Sequence, residues 1–217
     1  MRRYNEFVSS SPLRIQAAKR AEADFPTKFG HFRILGFEGS ELDPETCRPE
    51  AAVAVVMGDI HSQPPLVRIH SQCLTGDVFH SLRCDCRQQL EMALQMIAEA
   101  GAGILLYEQK EGRGIGLIAK LQAYELQDRG LDTVEANERL GFKADHREFE
   151  LPAAVLRAMD VREVRLISNN PQKVAALESA GIKVVERLPC EPVTSERSAG
   201  YLKTKKEKLG HLLGAEE

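Results

Sequence analysis

Short apolar runs alternate with helix-period stripes along most of this chain, and that alternation limits the fold more than any other feature. Ala52–Met57 (A-V-A-V-V-M), Leu66–Ile69 (L-V-R-I) and Ile104–Tyr107 (I-L-L-Y) read as strands. Leu90, Ala93, Leu94, Ile97 and Ala98 fall at i, i+3, i+4, i+7 and i+8, the stripe of an amphipathic helix, and Gly101 stops it. A second helix is expected from about Ile115 to Arg129, before Gly130, and a third over roughly Val134–Leu140, before Gly141. Val161–Ser168 reads as a strand, and Asn170 and Pro171 suit the cap and first turn of a helix through Ala180 that Gly181 ends. Ile182–Val185 supplies a further strand. Strands interleaved with helices predict an α/β fold, a mixed β-sheet flanked by helices.

The chain has 217 residues, room for one large domain or two small ones, and with no internal repeat or low-complexity linker one is expected. Hydrophobic residues make up 43% and charged residues 28%, so a packed core is within reach and global disorder is not expected. Residues 1–24, polar and rich in Arg, Lys and Ala, read as an N-terminal extension, either an extra helix or a loose tail. Residues 25–217 then form the functional domain, and the tail K-T-K-K-E-K-L-G-H-L-L reads as a helix with a solvated face.

A net charge of −3 argues against a nucleic-acid partner held by bulk positive charge, but leaves room for a local basic pocket around one phosphorylated small molecule. No apolar run approaches the roughly 20 residues a bilayer span needs, and the first residues lack the apolar stretch of a secretory signal. Five cysteines, odd in number and unevenly spaced, speak against a disulfide framework and for a reducing, cytoplasmic setting. Cys47 and Cys190 stand alone and read as buried or idle thiols.

Cys73, Cys84 and Cys86 are different. They share one stretch, H-S-Q-C-L-T-G-D-V-F-H-S-L-R-C-D-C. Cysteines two apart can face one ion, and the eleven residues back to Cys73 are enough for a loop to return it to the same place. Three thiolates suit zinc and leave a fourth position for water, the pattern of a catalytic site. A closed site with His70 or His80 as fourth ligand, or a metal-free thiol cluster, fits the same residues. A zinc deaminase would carry H-x-E ahead of P-C-x-x-C, and the chain has no H-x-E followed by a P-C-x-x-C.

Two further segments carry polar chemistry. Glu108–Gly116 (E-Q-K-E-G-R-G-I-G) comes directly after a strand and precedes a helix. Its glycines permit close approach to a ligand, the helix start offers N–H groups to an anion, and Arg113 can grip phosphate oxygens in pairs. An ordinary turn fits the same pattern. In Asp132–Phe149, Asp145 and Arg147 flank His146 in a polar loop, which suits a base beside a phosphate contact and equally a surface ion pair.

Taken in order, R-I-H-S-Q-C-L-T-G-D with L-R-C-D-C, then E-G-R-G-I-G-L, then Q-D-x-G-x-D-T-V-E-A-N-x-x-L-G-F-x-x-D-x-R-x-F, then I-S-N-N-P-Q-K-V and the tail Y-L-K-T-K-K-E-K-L-G-H-L-L resemble GTP cyclohydrolase II over about residues 25–215. The resemblance implies a hydrolase that opens the guanine imidazole ring of GTP at C8. It would release formate and pyrophosphate and leave a diaminopyrimidinone ribosylamino phosphate for riboflavin biosynthesis.

Matched residue by residue, the resemblance makes Cys73, Cys84 and Cys86 ligands of one Zn²⁺ per subunit. It makes Arg147 a nucleophile towards the α-phosphorus, Asp145 its proton acceptor, and Tyr124 a residue needed for ring opening. It assigns GTP contacts to Arg68, Ile69, His70, Ser71, Gln72, Gln89, Glu111, Gly112, Arg113, Thr133, Ser168 and Lys173. It also implies Mg²⁺ on the triphosphate and a homodimer, with neither nucleic acid nor membrane as partner. Two positions depart from the family's pattern: Arg87, where a small residue is common, and Gly114, where Asn is also found.

Overall fold

Seven strands of the described residues form one sheet in the order β1-β2-β3-β5-β4-β6-β7. They are β1 (Ile15–Thr27), β2 (Gly30–Glu41), β3 (Glu50–Met57), β4 (Leu66–Ser71), β5 (Gly103–Glu108), β6 (Glu163–Ile167) and β7 (Lys183–Leu188). The helices are α1 (Leu74–Asp77), α2 (Cys86–Ala100), α3 (Leu117–Gln127), α4 (Thr133–Arg139), α5 (Glu150–Ala158) and α6 (Pro171–Ser179). This computed structural model describes residues 15–41, 50–142, 149–192, 210, 212 and 214. The pairs β1–β2, β2–β3 and β3–β5 are antiparallel, while β5–β4, β4–β6 and β6–β7 are parallel. The expected mixed sheet flanked by helices is therefore the fold observed.

Side-chain alternation sorts the core onto the two faces. Ala54 and Val56 of β3 and Ile104 and Leu106 of β5 join Leu151, Val155 and Leu156 of α5 and Leu177 of α6 in one cluster. Val55 and Leu105, the alternate residues, join Phe32, Leu66 and the α2 residues Ala93 and Ile97 in the other. The apolar stripe read on α2 thus covers one face, and Gly101, at φ 72°, ends that helix in the left-handed conformation.

Several elements differ from the sequence reading, which predicts neither β2 nor α1. Residues 15–24, expected in a helix or loose tail, belong to β1 and pair with β2. This is an outer strand with mostly exposed side chains, so it lacks the apolar alternation of a buried strand, and its order comes from main-chain pairing. Helix α5 has no counterpart in the sequence reading because Pro152 interrupts the pattern; it lies in the first turn, where a missing N–H costs nothing. Cys47, the C-terminal helix expected over the Lys-rich tail, and the loop carrying Asp145, His146 and Arg147 lie outside the described residues. No helix among the described residues is long and apolar enough to cross a membrane.

Candidate active site

Parallel neighbours β4 and β5 end side by side, and the segments leaving their carboxyl ends build the site. Ser71 pairs with Glu108 in register, so the turn Gln72–Asp77 lies against the turn Glu108–Gly116. The carboxyl edge of parallel strands is the usual ligand edge of such sheets. A cavity of about 480 Å³ opens there.

Cys73 precedes α1, Cys84 lies in the next turn, and Cys86 begins α2. The three sulfurs lie within 4.8 Å of one another. Two thiolates bound tetrahedrally to zinc at about 2.3 Å stand about 3.8 Å apart; Cys73 Sγ and Cys84 Sγ are 3.7 Å apart. Gly76 makes the space. A Cβ there would lie 2.9 Å from Cys84 Sγ, 3.1 Å from Cys73 Sγ and 3.2 Å from Cys86 Cβ. The donor set and its spacing therefore fit a soft divalent metal. Gly76→Ala is expected to spread the sulfurs and lower metal affinity by roughly tenfold or more, measured by competition with a chromogenic chelator; unchanged affinity would mean that the ligands tolerate displacement.

Without an ion, the thiols share their protons unequally. Hydrogen bonds from Cys84 and Cys86, together with the Lys120 ammonium, hold Cys73 far below the ordinary thiol range. The same hydrogen bonding with Cys73 pushes Cys84 up to about 11, and Cys86 is raised as well. The cluster thus carries one thiolate readily and resists a second and third, an imbalance that a divalent cation relieves.

Among the described residues, the group that could hold a metal ion comprises these three cysteines and no histidine. His80 is exposed, with a left-handed backbone at φ 56°. His70 is 2% exposed and its Nε2 lies 3.1 Å from Asp77 Oδ1. The four-ligand alternatives through His70 or His80 are not built.

Asp77 is a hub that the sequence reading missed. Its carboxylate accepts from the Cys73 N–H at 3.0 Å and from the Tyr107 hydroxyl at 2.9 Å, and it faces His70. Arg87, one of the departures from the family pattern, donates to the Asp77 carbonyl and to Glu91, tying α1 to α2. Burial holds His70 below its ordinary value of 6.5, so the folded protein keeps it neutral. The unfolded chain takes up that proton at a higher pH, so stability falls as pH drops below about 6.5. Thermal melts across this range are expected to show that slope, and His70→Gln to flatten it; an equal slope in the variant would place its origin elsewhere.

The cavity brings together Cys73, Cys84 and Cys86 with Tyr124, and with Ser71, Gln72, Glu111, Gly112, Arg113 and Thr133 of the expected substrate set. Tyr124 Oη lies 3.2 Å from Thr75 Oγ1, and the Arg83 guanidinium lies over its ring at 4.8 Å. Burial raises the Tyr124 phenol above its ordinary range, so it is held protonated. Thr133 opens α4, whose D-T-V-E start is a capping box: Asp132 accepts from Val134 N and Glu135 N, and Glu135 accepts from Asp132 N.

The glycine-rich turn differs in part from expectation. Gly112 and Arg113 both adopt left-handed backbone, φ 61° and 63°, and Gly114 does so at φ 92°, a conformation that Asn also tolerates. Two of the N–H groups expected to face an anion are engaged internally: Gly112 N donates to Glu111 Oε1 and Gly116 N to the Glu111 carbonyl.

Arg68, Ile69, His70, Gln89, Ser168 and Lys173 do not line the cavity. Arg68 is 5% exposed and donates to the Ile167 carbonyl and to Gln89, which donates to Asp85 between the two cysteines. Lys173 donates to the Ile69 carbonyl and lies over the Phe149 ring. Ile69 and Ser168 are buried. Asp145 and Arg147 lie outside the described residues, between Phe142 and Phe149.

Fold and site together define a class: an α/β enzyme with a cavity walled by thiols that can hold a metal ion. The family model for GTP cyclohydrolase II matches residues 18–189, and the chain belongs to that family. The GTP cyclohydrolase-2 of Actinobacillus succinogenes is 52% identical over 193 residues, covering 88% of this chain and 86% of its own length. That of Buchnera aphidicola subsp. Acyrthosiphon pisum is 51% identical over 193 residues, covering 88% of this chain and 96% of its own. Among solved structures, a two-domain 3,4-dihydroxy-2-butanone 4-phosphate synthase from A. baumannii aligns with a TM-score of 0.43 at 17% identity, over 83% of this chain and 41% of that one.

Proposed function

We propose that this chain is a zinc-dependent GTP cyclohydrolase II, which converts GTP to formate, pyrophosphate and a diaminopyrimidinone ribosylamino phosphate at the entry to riboflavin biosynthesis. One observation carries the reading: a single cavity gathers three clustered thiols, a protonated tyrosine and the Glu111–Arg113 turn. Its family membership supplies the substrate.

Held by Cys73, Cys84 and Cys86, zinc would supply a Lewis acid beside the guanine C8. Tyr124, kept protonated by burial, donates or relays a proton as the C8–N9 bond opens. Thr75 holds the phenol in place. Arg113, on the cavity wall, would grip the triphosphate, whose charge a bound Mg²⁺ would help to offset. Ser71, Gln72, Glu111, Gly112 and Thr133 complete the cavity-lining part of the proposed substrate set. Arg68 and Lys173 belong to the proposed set only if substrate displaces the Ile167 and Ile69 carbonyls that now hold them. Gln89 accepts from Arg68 and the Ile69 carbonyl from Lys173; with His70 and Ser168 they remain in the proposed substrate set. Asp145 as proton acceptor and Arg147 as nucleophile complete the proposed assignment, with a homodimer in the cytoplasm as the working form.

Incubation of the purified protein with GTP and Mg²⁺, with formate, pyrophosphate and the pyrimidine monitored together, tests this directly. Matched release of all three is expected. Pyrophosphate without formate, or no turnover, would overturn the reading. Rapid denaturation during turnover with labelled GTP is expected to leave label on Arg147; label-free protein would reduce Arg147 to stabilising charge.

A further inference from the structure

Three thiolates on one divalent ion leave the site with excess negative charge, which weakens the ion as a Lewis acid. Lys120 is placed to offset that excess. It stands on α3, is 9% exposed, and its Nζ lies 3.2 Å from Cys73 Sγ and 2.6 Å from Glu111 Oε1. Glu111 also accepts from Leu74 N at 2.7 Å and from Gly112 N at 2.9 Å, so its carboxylate joins the metal-site turn to the glycine-rich turn. The ammonium is thereby aimed at one ligand sulfur.

We propose that Lys120 is a positioning residue for the metal centre: its N–H···S hydrogen bond draws charge from Cys73, and Glu111 fixes its direction. A lysine serving only a buried ion pair with Glu111 would have no need of a sulfur within hydrogen-bond distance. Lys120 acts through the ligand and not on the substrate. Removing it therefore makes Cys73 a stronger donor to the metal and the metal a weaker acid. The inference rests on the metal-dependent reading above.

Cobalt(II) in place of zinc gives a readout besides activity, because the thiolate-to-cobalt charge-transfer band tracks the electron density on sulfur. Full-length wild type, Lys120→Met, Lys120→Arg and Glu111→Gln are loaded with Co²⁺, and metal content, absorption, kcat and KM are measured. In Lys120→Met the band is expected at longer wavelength, with metal retained, KM little changed and kcat for formate release down roughly ten- to a hundredfold. Lys120→Arg should restore band and rate. Glu111→Gln, which leaves the ammonium less neutralised, should move the band to shorter wavelength; opposite shifts are not what lost packing gives.

An unmoved band in Lys120→Met, or a raised KM with an unmoved band, overturns the role of Lys120. Should Lys120→Met fail to fold, an unmoved band in Glu111→Gln does the same. Wild type that shows no thiolate band with cobalt would instead sink the metal-dependent reading, and this inference with it.

Discussion

Cys84→Ser is expected to lose its bound metal and to release formate at least about a hundredfold more slowly, beyond the usual cost of losing an outer-shell partner. The serine hydroxyl stays protonated at neutral pH, and the ion is left with two thiolates where the cluster holds three. Cys84 is buried at the cavity wall, and the cluster of the described residues offers no fourth protein ligand to replace it. Pyrophosphate release is expected to fall less, because it is assigned to Mg²⁺, Arg113 and Arg147 and not to the thiols. Metal content per chain, measured beside the separate rates of formate and pyrophosphate formation, checks both halves. Formate made at the wild-type rate by a metal-free variant would refute the division of labour.

Asp77→Ala should be the most damaging single change to stability near the site. It strands the Cys73 N–H, the Tyr107 hydroxyl and the His70 Nε2 group together. At about one to two kcal/mol for each donor left without an acceptor, the loss is about 3–6 kcal/mol. That is a large part of the roughly 5–15 kcal/mol by which domains are ordinarily stable. The Cys73 main chain is also released, so metal affinity should fall with stability. Asp77→Asn keeps one acceptor oxygen and should fall between. Denaturant midpoints of the three proteins decide the matter, and a loss below about 1 kcal/mol, the worth of an exposed ion pair, would show that Asp77 is no hub.

Both variants bear on how the site is encoded. Cys73, Cys84 and Cys86 are legible because thiols so close in sequence have few alternatives in a chain without a disulfide framework, and the structure brings their sulfurs together. Tyr124 and Arg113 are legible through the family pattern, and they share the cavity with the cysteines. Asp77 and Lys120 give no comparable signal. Asp77 reads as a turn residue in C-L-T-G-D, and Lys120 as one more cation on a helix. The buried positions of Arg68 and Lys173 are equally illegible, since an arginine in a basic motif reads as a ligand contact whether or not a carbonyl already occupies it.

Periodicity and the cysteine spacing determined the α/β class, most of the strands and helices, and the cysteine trio that can hold a metal, because each depends on residues near one another in the chain. The tertiary structure alone decided that β1 is a strand, since its order comes from pairing with β2 and not from its own side chains. It alone set Lys120 against Cys73, 47 positions away. That contact exists because β4 and β5 lie parallel and adjacent, so the turns leaving their carboxyl ends meet at one edge of the sheet.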